Sequence, residues 1–512
     1  MFAAKDAFFS NVNGTYAINN SLRFRSSASA YLNRTFATPT SSTIYTLSLW
    51  VKRGTLTTTQ NLFGASTTTR LGFNSSDQLV LVLAGTTAIT TTAVYRDPSS
   101  WYHIIYTQNG SAQTIYVNET SVGTGTTANT VFNTAIAHQL AAANTTNYFD
   151  GYLAEVNFVD GQTLTPSSFG VTGPNNVWQP TQYTGSYGTN GFYLKFASFG
   201  TAAALGTDSS GNGNTWTVNN VSVTAGTTYD PMLDVPTLTS ATVANYAVLS
   251  PIDSNLATIT NGNLLYTSTA GTVSLVNATV GMLGSKWYAE FTPTGSAQDM
   301  IGICDLSAPV TSRGWTTANG YFYWGFNGQK YTNNAGATYG ASYGVGNVIG
   351  VAVDMSGGGS TGTITFYRDG VSQGAAYSTL DTTKTWAFAY SSATGTAGVS
   401  GYANFGQRAF IYSPPSGYAA LNAYNIPTGA VTTSGSFTGN ALADGPTIWL
   451  NGTPTAMTIN GNAVTFGTQT DKLASGFKLR TTSTSYNSTG TNTYSVSTTG
   501  AQFKYQIAQG NP

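Results

Sequence analysis

Apolar and polar residues alternate along this chain in runs of about four to eight, and Gly, Asn, Asp and Pro separate the runs. Tyr45–Val51, reading YTLSLWV, is one such run. Ile115–Val117 follows Asn109–Gly110, and Gly151–Phe158 is a later one. Alternation of β-branched and aromatic residues with polar ones, punctuated by turn formers, predicts half-buried strands. No stretch sustains a helical period. Asp369–Gly370 after Thr363–Arg368, and Asn460–Gly461–Asn462 between Met457–Ile459 and Ala463–Phe466, read as hairpins. Asn-Gly and Asp-Gly accept the positive φ angles of a type I′ turn. The predicted fold class is all-β: two consecutive β-sandwich (jelly-roll) domains plus a small C-terminal β domain.

Turn and proline clusters suggest the boundaries. Residues 1–20 read as an N-terminal arm that packs on something else, and 21–200 as the first sandwich. The Gly/Asn/Ser stretch Asp208–Asn214 opens a connector over 201–244, which closes with Tyr229-Asp230-Pro231 and Asp234-Val235-Pro236. A second strand-rich block covers 245–413. Pro414-Pro415 and Pro427 lead into a small β module over 414–512.

Composition narrows the function. Only 7% of the 512 residues are charged, with 19 basic against 19 acidic. No positive excess is available to neutralise phosphate, which argues against nucleic acid. Aromatic residues make up 13% and hydrophobic residues 41%, enough to build a core and inconsistent with disorder. Apolar runs such as Leu79–Ala84 fall far short of the roughly 18 residues of a membrane span. The first ten residues lack the apolar stretch of a secretory signal. Cys304 is the sole cysteine and reads as a core thiol, so no intrachain disulfide is expected.

Catalytic chemistry finds little support. Glycoside hydrolysis needs two carboxylates flanking one bond, yet Glu119, Glu155 and Glu290 lie far apart in sequence. Asp230 and Asp234 are neighbours but read as turn formers in a proline-bounded connector. A serine nucleophile needs a base. His103 reads as a packed strand residue, and His138 has no recognisable partner. No spacing suits zinc. The expectation is a protein without enzymatic activity.

The first block resembles the laminin-G-like, concanavalin-A-like sandwich. Ser21–Phe24 resembles its opening strand, Leu47–Lys52 its S-x-W-V-K strand, and Trp101-Tyr102-His103 the strand carrying Trp and His. Ile115–Asn118 matches L-Y-V-N/D. Phe149–Val156 and Leu164-Thr165 resemble the closing F-x-G-x-I-D-E-V and L-S/T, with Ala154 where the family often has Asp. The second block resembles the SPRY domain. Gly284–Phe291, Ile301-Gly302-Ile303, Gly346–Asp354, Thr363–Gly370 and Asn404–Gln407 follow its motifs in order. The pairing, together with Asp444–Gly452, is similar to virion structural proteins of tailed bacteriophages, particularly marine ones.

Lectin-like sandwiches often hold calcium through Asp and Asn oxygens. Asp77, Asp150 and Asp160 are the candidates, and turn capping is their ordinary role. An uncharged surface of hydroxyls, amides and rings favours sugar recognition by stacking and hydrogen bonds. SPRY domains bind partners through loops, which singles out Trp315, Tyr339 and Tyr343 from the aromatic stretch that also contains Tyr321, Tyr323, Trp324 and Tyr331. Trp50, Trp101, Trp287 and Trp386 read as core.

The resemblance implies a tail-fibre or receptor-binding subunit on the virion exterior. It would be a homo-oligomer, a trimer by analogy with phage fibres, contacting other virion proteins and a host surface glycan, with no nucleic acid and no membrane insertion. A capsid decoration or head-fibre protein is the alternative, and a polysaccharide-degrading spike a second.

Overall fold

Alternation in Ile44–Arg53 sends Leu47, Leu49 and Val51 to one side of the strand and Ser48, Trp50 and Lys52 to the other, and both sides are buried. A strand hidden on both faces sits mid-sheet with something packed on its outside. The computed structural model bears this out. It describes residues 16–127, 131–173, 177–269, 273–296, 298–393 and 398–427, and beyond these the strand backbones between 434 and 508.

The first sandwich has two antiparallel sheets. One runs Thr120–Gly125, Ala112–Val117, Trp101–Asn109, Ile44–Arg53, Gly151–Asp160, Ser21–Phe24, Pro231–Met232, with Phe192–Leu194 also paired to Gly151–Asp160. The other runs Thr217–Asn219, Tyr31–Thr35, Ala137–Leu140, Gln60–Ser66, Thr69–Phe73, Gln78–Leu83, Thr86–Val94. Leu22, Leu47, Phe63, Leu81, Ile104, Phe158 and Trp216 belong to the core between them.

The second sandwich repeats the plan. Leu249–Asn255, Leu275–Ala278, Trp386–Ser392, Asp299–Asp305, Gly320–Trp324, Gln329–Thr332 and Ala335–Thr338 form one sheet. Ala257–Thr260, Leu265–Ser268, Ser400–Asn404, Lys286–Pro293, Ile349–Asp354, Gly362–Arg368 and Val371–Leu380 form the other, with Ala419–Ala420 added in parallel beside Lys286–Pro293. Asp369 and Gly370 take φ of 51° and 78° in the expected hairpin. Trp50, Trp101, Trp287 and Trp386 are all at most 2% exposed, and Cys304 is buried. In the C-terminal block eight strands form two four-stranded sheets. Ile459 pairs with Asn462 there, and residues 460–461 of the expected turn lie outside the described residues.

The segment 201–244, expected as a connector, is instead built into the first sandwich. Thr217–Asn219 and Pro231–Met232 complete its two sheets, and Trp216 is 1% exposed in its core. Asp230 and Asp234 are not exposed turn residues. Both are fully buried in ion pairs, Asp230 with Arg23 and Arg25 and Asp234 with Lys52. In all, fourteen described charged residues are buried. Charge scarcity is therefore greater still at the surface, and partnering is what makes such burial tolerable.

The sandwiches share apolar contacts. Trp50, Trp101, Tyr152 and Ile18 pack into the same cluster as Trp287, Tyr246 and Met282. Residues 16–20, the end of the expected arm, thus pack on this chain, and Thr237 Oγ1 donates to Ile18 O at 2.7 Å.

Candidate functional site

The outer face of the second sandwich's first sheet carries a line of rings. Phe322, Met300, Cys304, Leu275 and Ala389 project there as a buried apolar layer, with Trp315, Trp324 and Tyr331 packed over it. Trp324 ends the strand Gly320–Trp324, and Tyr331 lies on the neighbouring strand Gln329–Thr332. Trp315 comes from the connection before Gly320–Trp324. Its ring meets Tyr331 edge-on at 5.7 Å, Tyr331 meets Trp324 at 5.4 Å, and Trp324 meets Phe326 at 5.5 Å. Phe326, in the turn between the two strands, is 59% exposed.

Amides border the line. Asn327 Nδ2 donates to Gln329 Oε1 at 2.8 Å, and the Tyr331 hydroxyl donates to the same oxygen at 3.1 Å. Trp315 Nε1 donates to Ser392 O at 3.1 Å, which fixes its ring. The nearby Lys330 points to the opposite side, bonding Ala376 O and lying over Tyr377. The result is a rigid apolar ridge with neutral polar edges.

The expected ligand residues separate. Trp315 is half-buried at one end of the ridge. Tyr339 is half-buried elsewhere, donating to Gly374 O at 2.6 Å and accepting from Phe366 N at 3.2 Å. Tyr343 is 4% exposed, and its hydroxyl donates to Tyr323 O at 2.7 Å, so it serves packing and offers no face to a ligand. Phe326 was missed because one phenylalanine between glycines carries no period. Its Gly325–Gly328 flanks, a turn between two aromatic strands, are the signal that would have found it.

Asp77, Asp150 and Asp160 sit among hydrogen-bond donors. Asp77 meets Arg53, Arg96 and Thr57 N at 3.1, 2.8 and 2.7 Å. Asp150 accepts from Asn261 N and Gly262 N at 3.0 and 2.7 Å. Asp160 accepts from Thr40 N, Asn133 Nδ2 and Asn190 N at 2.7, 2.7 and 3.0 Å. Donor hydrogens aimed at a carboxylate do not suit a calcium ion, so these residues do not fit a cage. Among the described residues no group of three or more His, Cys, Asp and Glu is placed to hold a metal.

His103 does meet a serine, with Nε2 2.8 Å from Ser48 Oγ. The Trp178 indole, which can only donate, lies 3.0 Å from His103 Nδ1. Nε2 therefore carries the proton and donates to Ser48, the reverse of what a general base needs. Burial pushes the imidazole down to about 3. His138 is stacked on Phe36 at 3.8 Å and faces the carbonyls of Ile136 and Phe132. Glu155 occupies a bulge at φ 49°, its carboxyl bound by the hydroxyls of Tyr193 and Tyr16 at 2.5 and 3.1 Å. Burial raises it to about 7.

Fold and surface define a pair of joined recognition-type sandwiches. Residues 25–168 match the concanavalin A-like lectin/glucanases superfamily, and residues 286–408 match the SPRY domain. The chain thus carries a concanavalin A-like domain followed by a SPRY domain. Similar solved structures include the SPRY domain of human HERC1, 19% identical over 30% of this chain and 96% of that one, with a TM-score of 0.27. A second human SPRY domain is 15% identical over 31% and 99%, with a TM-score of 0.25. Stonustoxin is 14% identical over 31% and 29%, with a TM-score of 0.24. No curated protein matches the chain.

Proposed function

We propose that this chain is a non-enzymatic virion protein of a tailed bacteriophage, a tail-fibre or receptor-binding subunit that recognises a host surface glycan. The observation that carries the reading is the outward ridge of Trp315, Tyr331, Trp324 and Phe326. Rings with neutral polar edges bind the apolar faces of sugars and their hydroxyls together. Burial of so many of the few charges leaves recognition to contact and hydrogen bonding, which salt screens little. Both matched domains are folds that suit recognition, and the phage setting rests on the resemblance of their pairing.

A single such site binds with only about millimolar affinity, near −4 kcal/mol. Linked copies raise the apparent affinity roughly 10²–10⁴-fold, which favours a homo-oligomer on the particle exterior. Adsorption to host cells in the presence of free protein tests this. Competition that is relieved by stripping the host polysaccharide supports the reading. Undiminished adsorption, with antibody labelling confined to the capsid, replaces it with a decoration role. Release of reducing sugar from that polysaccharide replaces it with an enzyme.

A further inference from the structure

One lysine of the first sandwich is sealed between the two domains. Lys52 and Asp234 have side chains with no solvent exposure. Lys52 Nζ lies 2.7 Å from Asp234 Oδ2, 2.8 Å from Asn245 Oδ1 and 2.8 Å from Tyr246 O. The opposite carboxylate oxygen, Asp234 Oδ1, is held by Trp101 Nε1 at 3.1 Å and Tyr246 N at 3.2 Å. Asn245 is buried, and its Nδ2 donates to Ser99 O at 2.8 Å, so the amide cannot turn away. Lys52 Nζ lies 5.9 Å from the centre of the Tyr152 ring, and Tyr152, Trp101 and Tyr246 belong to the apolar cluster shared by the two sandwiches.

We propose that Lys52 and Asn245 become joined by an amide crosslink formed within the folded chain, with Asp234 carrying the proton. A buried amine fixed against a carboxamide gains from orientation in place of collision. The local electrostatics agree with the geometry. Burial lowers Lys52 and raises Asp234; both shifts favour passing a proton from the ammonium to the carboxylate, and the step starts from that neutral amine and neutral acid.

The bond changes balance without any oxidant or metal. The Nζ lone pair adds to Cγ of Asn245, and Asp234 receives an Nζ proton as it gives its own to Nδ2. The Cγ–Nδ2 bond then breaks, ammonia leaves, and Nζ–Cγ remains as a secondary amide. The product ties strand Ile44–Arg53 of the first sandwich to the chain entering the second. It needs no ligand and does not rest on the proposed function.

The three contacts to Nζ would equally serve a lysine that stays charged, and mass separates the two cases. The folded full-length protein should weigh one ammonia less than its sequence and yield a branched peptide containing Lys52 and Asn245. A succinimide at an Asn–Gly step such as Asn109–Gly110 loses the same ammonia, so the branched peptide decides. Its absence from folded wild-type protein overturns the proposal. Lys52→Arg removes the primary amine and abolishes the branched peptide. Asp234→Asn slows its appearance roughly 10²–10⁴-fold; an unchanged rate removes Asp234 from the step. After one protease cut between 52 and 245, the wild-type chain should run as a single species on a denaturing gel and Lys52→Arg as two.

Discussion

Tyr152 donates its hydroxyl to the carbonyl of Gly262 at 2.6 Å, joining a strand of the first sandwich to a turn of the second. The turn residues Asn261, Gly262 and Asn263 hold φ of 59°, 69° and 58°. That twist aims the N–H groups of Asn261 and Gly262 at Asp150. A Cβ on Gly262 would stand 2.9 Å from the Tyr152 hydroxyl. One glycine thus lets two domains approach at backbone level.

Asp230 pairs with two guanidinium groups, Arg23 at 3.1 Å and Arg25 at 2.8 Å, and Arg23 is fully buried. Asp230→Ala leaves that charge without its partner and should cost about 3–5 kcal/mol. Urea unfolding measures it. A loss no larger than that of an exposed substitution contradicts the buried pair.

Trp216 stands edge-on to Phe36 at 6.1 Å and to Phe192 at 4.9 Å. Trp216→Ala should destabilise by about 3–5 kcal/mol. Proteolysis should then begin in the first sandwich, because the residue belongs to that core and not to a linker.

Burial raises Glu155 from 4.5 to about 7 and Asp299 from 3.8 to about 7. Each holds a proton when folded that it loses when unfolded, so its contribution is full at low pH and fades as pH rises through about 7. His103 and His138 act oppositely. Lowered from 6.5 to about 3 and about 4, they contribute fully above 6.5 and lose this as pH falls. Stability of Glu155→Gln/Asp299→Asn should therefore climb more steeply than wild type between about pH 4 and about pH 7. Equal slopes in urea titrations would count against the raised carboxyls.

Phe326→Ala removes an exposed ring. Stability should move by no more than about 0.5 kcal/mol, while on the proposed glycan-binding role affinity per site should fall roughly 2- to 10-fold. Calorimetry on the folded variant reads both. Retained affinity would take the ridge out of recognition.

Strands such as Ile44–Arg53 and Lys286–Pro293 were legible because alternation and turn residues are local properties. The partners of Asp230 and Asp234 were not. Their proline neighbours look the same in a loop as in a buried edge strand, and the arginines that pair with Asp230 lie more than 200 residues away. Tyr343 misled for a related reason. Flanking glycines suggest a loop surface, yet the loop folds inward and its hydroxyl meets the backbone of Tyr323. Trp315 could be read as a surface candidate, but the ridge it ends depends on the register Phe322↔Tyr331, which only the folded sheet reveals.

The strands Thr217–Asn219 and Pro231–Met232 arrive well after residue 168, where the matched lectin-like region stops. A ribosome must therefore release about seventy further residues before the first sandwich can close, by which time the chain is already entering the second. Genetic exchange that swaps this module at its apparent end would hand the recipient an unfinished wall. Breakpoints that keep the tract through Asp234 would carry both sheets of the first sandwich complete.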